Sequence, residues 1–113
     1  MKRIIASVRP TKLDDVVAAL NKVEDFPGAA ISETKRVIRG TNQSEKDELE
    51  QLDLGFPHYI RFEIICRNSL VDRLVEAIRW SAHTGNQGDG KIIVSPIESA
   101  IRISDGQTDK DAL

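Results

Sequence analysis

Between positions 84 and 91 the chain reads Thr84-Gly85-Asn86-Gln87-Gly88-Asp89-Gly90-Lys91. These residue types suit the binding of an anion. Gly88 and Gly90 have no side chains, so their N–H groups can approach a ligand closely, and Lys91 adds a full positive charge beside them. Phosphate is the usual occupant of such a row of donors. Gly85 is free to take the left-handed conformation that caps a helix, so the same stretch marks where a helix ends and a strand begins. Alone, a Gly-x-Gly-Lys loop is weak evidence. It lacks the spacing of a nucleotide-binding P-loop, and most glycine clusters are only turns.

Other chemistry is harder to find. No Ser–His–Asp arrangement and no carboxylate pair stands out, so no catalytic residue is expected. His58 and His83 are not spaced as metal ligands, and no metal is expected. The single cysteine, Cys66, cannot form an internal disulfide, and its apolar neighbours point to a buried thiol. The formal net charge of -2 gives no reason to expect nucleic acid or an anionic membrane as a partner. No apolar run has membrane-spanning length and the N-terminus has no signal-peptide core, so a cytoplasmic protein is expected. A length of 113 residues suits one domain, 1–113.

The elements that must hold the loop follow from periodicity. Lys2 to Val8 reads as a strand with Ile4, Ile5, Ala6 and Val8 apolar. Thr11 is the expected cap of a helix whose stripe is Leu13, Val16, Val17 and Leu20, ended before Phe26-Pro27-Gly28. A second strand is expected over about Ala30 to Arg39. Gly40 to Gly55 is charged and too long for a simple hairpin loop; such loops are functional or floppy, and Glu45 to Leu54 could fold as a short helix on binding. His58 to Cys66 is the clearest strand. Ile60, Phe62, Ile64 and Cys66 face one way and Tyr59, Arg61, Glu63 and Ile65 the other. Asn68 or Ser69 is the expected cap of a second helix carrying Val71, Leu74, Val75 and Ile78 and ending near His83. Trp80 belongs to its core face or to a subunit interface. Lys91 to Val94 is a fourth strand, broken by Pro96. Ser99 to Ile103 is expected as a short edge strand, and 105–113 as a polar tail in which Asp105 is a turn residue.

The order strand, helix, strand, strand, helix, strand predicts an α+β, ferredoxin-like sandwich. Its antiparallel sheet would carry both helices on one face. The other face would be half apolar, and another subunit is a common cover for such a face.

With these elements in order, the chain resembles the PII signal-transduction family. Three blocks carry the likeness: Arg9-Pro10-x-Lys12-Leu13-Asp14-Asp15-Val16 with Ala19-Leu20; Arg61-x-Glu63-Ile64-Ile65 preceded by Phe56-Pro57; and the glycine loop continued as Lys91-Ile92-Ile93-Val94, then Ile101-Arg102-Ile103 and an acidic tail. The resemblance implies a regulatory protein and not an enzyme. It implies a homotrimer that binds adenine nucleotides in clefts between subunits. A T-loop, here about 36–58, would engage a target protein such as a membrane transporter. By position it implies nucleotide contacts at Gly88, Asp89, Gly90, Lys91, Arg102, Glu63, Ile65, Ala30, Val37 and Ile38. Asp89 is expected to shape the loop by accepting N–H bonds, and Glu63 to be structural or to lie near the sugar.

The departures from the family pattern bear on the ligand. Tyr59 stands where members carry a basic residue before the third strand. Arg36 stands where they carry a glycine. None of the residues at 39–41 is the glutamine that helps hold Mg-ATP and 2-oxoglutarate. Ser104 replaces the second arginine of an Arg-x-Arg pair, and the loop has no tyrosine for uridylylation. Each change near the γ-phosphate removes charge or a donor, so ADP or AMP is expected over ATP. Arg36, Arg39 and Tyr59 form a candidate small-anion site, with bicarbonate the candidate ligand. The alternatives are a phosphoryl-transfer or ATP-hydrolysing enzyme of the same fold and a purely structural trimer.

Overall fold

The computed structural model describes residues 1–37 and 57–113. The strands are β1 (Lys2–Val8), β2 (Ala30–Lys35), β3 (His58–Cys66) and β4 (Gly90–Pro96), and the helices are α1 (Leu13–Asn21) and α2 (Val71–Ala82). The sheet order is β2-β3-β1-β4, and every neighbouring pair is antiparallel. This is the four-stranded, two-helix α+β arrangement of the ferredoxin-like fold.

The core lies between the sheet and the helices. Ile4, Ala6 and Val8 of β1 and Ile60, Phe62, Ile64 and Cys66 of β3 meet Val16 and Leu20 of α1 and Leu74, Ile78 and Ala82 of α2. Each large side chain buried here contributes roughly 1.5–3 kcal/mol. Burial also pushes the Cys66 thiol above its ordinary pKa, because the charged thiolate is disfavoured away from water. The alternation in β3 is thus the one its sequence displays.

Residues paired across an antiparallel sheet share a face. Ser32, Arg61, Ser7 and Lys91 therefore form one row on the face turned from the helices. Ala30, Glu63, Ile5 and Ile93 form the next. Glu63 sits in an ion network there, 3.4 Å from Arg3 and 3.0 Å from Arg61. Charged and apolar groups thus mix on this face, as the sequence suggests.

Several local expectations are corrected. Thr11 and Asn68 or Ser69 are not side-chain caps. Each helix is entered through a 3-10 turn, Pro10–Lys12 and Asn68–Leu70, and no side chain caps either entry. The fixed φ of Pro10 suits the first position of such a turn, so winding starts before Thr11 could cap it. β2 ends at Lys35 rather than near Arg39; Ile38 and Arg39, with the proposed helix at Glu45 to Leu54, lie outside the described residues. β4 is longer than expected and takes in Pro96, which an edge strand tolerates because its outer N–H positions face no partner.

Ser99 to Ile103 is not a strand of the sheet. It contributes one bridge, Ile101 to Thr108, to a turn that folds the chain back on itself. Gly106, at φ +74°, supplies that reversal. The Arg102 N–H donates to the Gln107 carbonyl at 2.8 Å and the Gly106 N–H to the Arg102 carbonyl at 2.8 Å. Trp80 is not in the core. It is 57% exposed on α2, where its indole N–H donates to Glu76 at 2.7 Å and Arg79 stacks on its ring.

Candidate functional site

The glycine loop joins α2 to β4. α2 ends at Ala82, and His83 turns the chain into extended conformation. Gly85 therefore does not cap the helix, as its position suggested. It takes φ +87° two residues later, inside the loop. The loop is organised by Asp89. Its carboxylate accepts the Thr84 N–H at 2.8 Å and the Gly85 N–H at 3.0 Å, and it is also bonded by the Thr84 hydroxyl. Arg9 adds an ion pair at 3.1 Å. The Thr84 bonds, then Arg9 and Gly85, hold the Asp89 carboxyl well below the usual carboxylate range, since each favours the charged form. An aspartate this well satisfied is a loop clasp; none of its bonds leaves it poised to take a proton.

Gly90 is fixed by packing as well as by backbone angle. Its φ is +110°, and a Cβ built there would sit 1.7 Å from the Ser7 carbonyl oxygen. Glycine is thus required where β4 first pairs with Val8 of β1. Lys91 follows as an exposed residue paired with Ser7.

Two residues hold the loop from outside, and the sequence reading did not place either of them there. Arg9, just beyond β1, donates to the Gln87 carbonyl at 2.6 Å as well as to Asp89. Tyr59, near the start of β3, is 9% exposed and donates its hydroxyl to the Gly88 carbonyl at 3.2 Å. Arg36 lies over the Tyr59 ring at 4.9 Å, and its N–H donates to the Pro57 carbonyl at 3.0 Å. Tyr59 is therefore a link between the end of β2 and the glycine loop, and not only a missing cation. The topology contained the signal: because Val8 pairs with Gly90, Arg9 must lie beside the loop.

Behind the loop, α2 and the β1–β4 edge enclose a groove of about 350 Å³. Val75, Ile78 and Ala82 form one wall, Val8 and Ile92 the other, and Lys91, His83 and Arg79 lie at its rim. Its volume suits part of a small ligand.

The other candidate residues do not converge on this loop. Lys91 is on the edge strand β4 and Ala30 on the opposite edge strand β2. Three strand spacings, roughly 14 Å, separate the two edges. Glu63 and Ile65 stand on β3 between them, Glu63 already paired with Arg3 and Arg61. Val37 is exposed just past β2. Arg102 lies in the tail turn, 2.9 Å from Asp105 and bonded to the Asp111 carbonyl at 2.7 Å. Asp105 therefore holds Arg102 as well as making the turn, accepting the Gln107 N–H at 3.0 Å. Among the described residues, no three His, Cys, Asp or Glu side chains gather as metal ligands, and no helix is long and apolar enough to cross a membrane.

Comparison with known proteins agrees with the architecture. The family model described as "Nitrogen regulatory protein P-II" matches residues 1–107. Proteins named nitrogen regulatory protein P-II are 38% identical in Azospirillum brasilense, 40% in Bradyrhizobium diazoefficiens and 34% in a Synechocystis species. Each alignment spans 113 residues and covers 100% of both chains.

Proposed function

This chain belongs to the nitrogen regulatory protein P-II family, and from that premise we propose that it acts as a homotrimer sensing adenine nucleotides. The family is one of regulatory signal transducers and not of enzymes, so the phosphoryl-transfer alternative is set aside. In the proposed assembly the phosphates meet the loop Gly88-Asp89-Gly90 and Lys91. The observation that carries this reading is the loop itself. Asp89 spends its charge inside the loop, on Thr84, Gly85 and Arg9, and Lys91 stands exposed beside it with no acidic partner among the described residues. The loop therefore offers positive potential and backbone donors to an anion.

Two further observations support shared clefts. Of the residues taken by position as nucleotide contacts, Lys91 and Ala30 stand on opposite edges of one sheet, edges that neighbouring copies would bring together. Ile93, Ile101 and Ile103 are exposed apolar residues on β4 and in the tail, and a second copy would cover them.

ADP and AMP are the favoured ligands. Tyr59 and Ser104 supply no positive charge for a γ-phosphate, and 39–41 holds no glutamine. Arg36 remains the described member of the small-anion candidate with Tyr59, and bicarbonate is the ligand proposed for it. The loop at about 36–58 is proposed as the element that engages a target protein, a membrane transporter being one candidate.

Light scattering and melting curves test the reading together. The expected mass is near three times that of the 12.6 kDa chain. Saturating ADP or AMP is expected to raise the melting temperature, because a ligand of the native state stabilises by mass action. A monomer mass, or a melting temperature indifferent to both nucleotides, would contradict it.

A further inference from the structure

We infer that Arg9 and Tyr59 are positioning residues that keep the Gly88 N–H turned outward for a phosphate. The inference rests on the reading of the glycine loop as a phosphate site. In a trans peptide the N–H points opposite to the C=O of the same plane. Arg9 draws the Gln87 carbonyl to its guanidinium at 2.6 Å, so the Gly88 N–H of that plane must point away from Arg9. Tyr59 fixes the next plane through the Gly88 carbonyl at 3.2 Å. Among the described residues the Gly88 N–H has no acceptor at hydrogen-bond geometry.

The surroundings are shaped for these two contacts. A Cβ at Gly88 would stand 3.3 Å from the Arg9 guanidinium and 3.5 Å from the Tyr59 hydroxyl. Glycine there lets both polar groups close on the loop. Arg9 makes two bonds at once from two different nitrogens, to the Gln87 carbonyl and to Asp89; the planar guanidinium fixes this spacing, whereas the donors of a lysine all sit on one nitrogen. Tyr59 is buried with Arg36 over its ring, so its hydroxyl has little freedom to leave Gly88. Two planes held from outside give a loop whose donor is oriented before a ligand arrives, and preorganisation lowers the cost of binding.

The test uses Tyr59→Phe, which keeps the ring and its Arg36 contact but removes the donor, together with Arg9→Lys. Each protein is titrated with ADP and with inorganic pyrophosphate, melted without ligand, and examined by NMR relaxation at the Gly88 amide. Both variants are expected to melt within about 2 °C of the parent, since the groups removed are outside the core. The Gly88 order parameter is expected to fall from a rigid value near about 0.85 to below about 0.6. Affinity for ADP and pyrophosphate is expected to fall roughly 5-fold in Tyr59→Phe and 10-fold in Arg9→Lys, the scale of one lost hydrogen bond. A parent that binds both ligands, with variants of unchanged affinity or an unchanged Gly88 amide, would overturn the positioning role alone. A parent that binds neither ligand would overturn the phosphate reading itself, and this inference with it.

Discussion

Gly90→Ala is expected to cost at least about 3 kcal/mol of stability, a drop in melting temperature of more than about 10 °C for a domain of this size. Two costs add. The backbone angle of +110° is one an alanine rarely adopts, worth roughly 1–2 kcal/mol. The new Cβ would also lie 1.7 Å from the Ser7 carbonyl oxygen. That neighbour is backbone, so relief requires β4 to part from β1 where Gly90 pairs with Val8. The control is Gly28→Ala. Gly28 has φ +96° and nothing within 4 Å of its Cβ position, so it shows the angular cost without the clash. Thermal melts of the two variants separate the costs. Equal losses would mean that the β1–β4 register at Gly90 is wrong.

Lys91→Ala is expected to weaken ADP binding by about 1.5–3 kcal/mol, roughly 10- to 150-fold, the range for a hydrogen bond to a charged group. Its ligand-free melting temperature should change little. Lys91 is exposed and holds its place in β4 through backbone pairing with Ser7, which alanine preserves. Titration calorimetry beside a melt distinguishes a binding lysine from a structural one. Unchanged affinity, or an unfolded variant, would show that Lys91 belongs to the scaffold.

These two neighbours illustrate what the sequence could display. The expectation of anion binding at Gly88 to Lys91 is legible in the sequence because it depends on adjacent residue types. The strict need for Gly90 is not, because the atom it avoids belongs to Ser7, 83 positions away. The same division runs through the fold. The alternation of β3 and the stripes of α1 and α2 declared which faces are buried, and the order of elements with crossover rules gave the sheet. Helix entries were misread because a side-chain cap and a 3-10 turn begin with the same polar residues; Pro10 tips the first case toward the turn. The tail was misread because Ile101 and Ile103 alternate as strand residues do, whereas Gly106 lets the chain return on itself.

Tyr59 was legible as a substitution, a phenol where the family pattern has a cation, and as part of a small-anion candidate with Arg36 and Arg39. In the fold it does different work, bonding the Gly88 carbonyl while Arg36 covers its ring. A residue that departs from its family pattern carried a contact that no pattern would have indicated.

The loop from Gly88 to Lys91 is proposed to serve a nucleotide with a short phosphate chain. The most direct test is calorimetric titration of the full chain with ADP, AMP and Mg-ATP, each with and without 2-oxoglutarate. ADP or AMP is predicted to bind more tightly than Mg-ATP, and 2-oxoglutarate to change neither. Tight Mg-ATP binding strengthened further by 2-oxoglutarate would contradict the account, for other basic groups of the chain would then be neutralising the γ-phosphate.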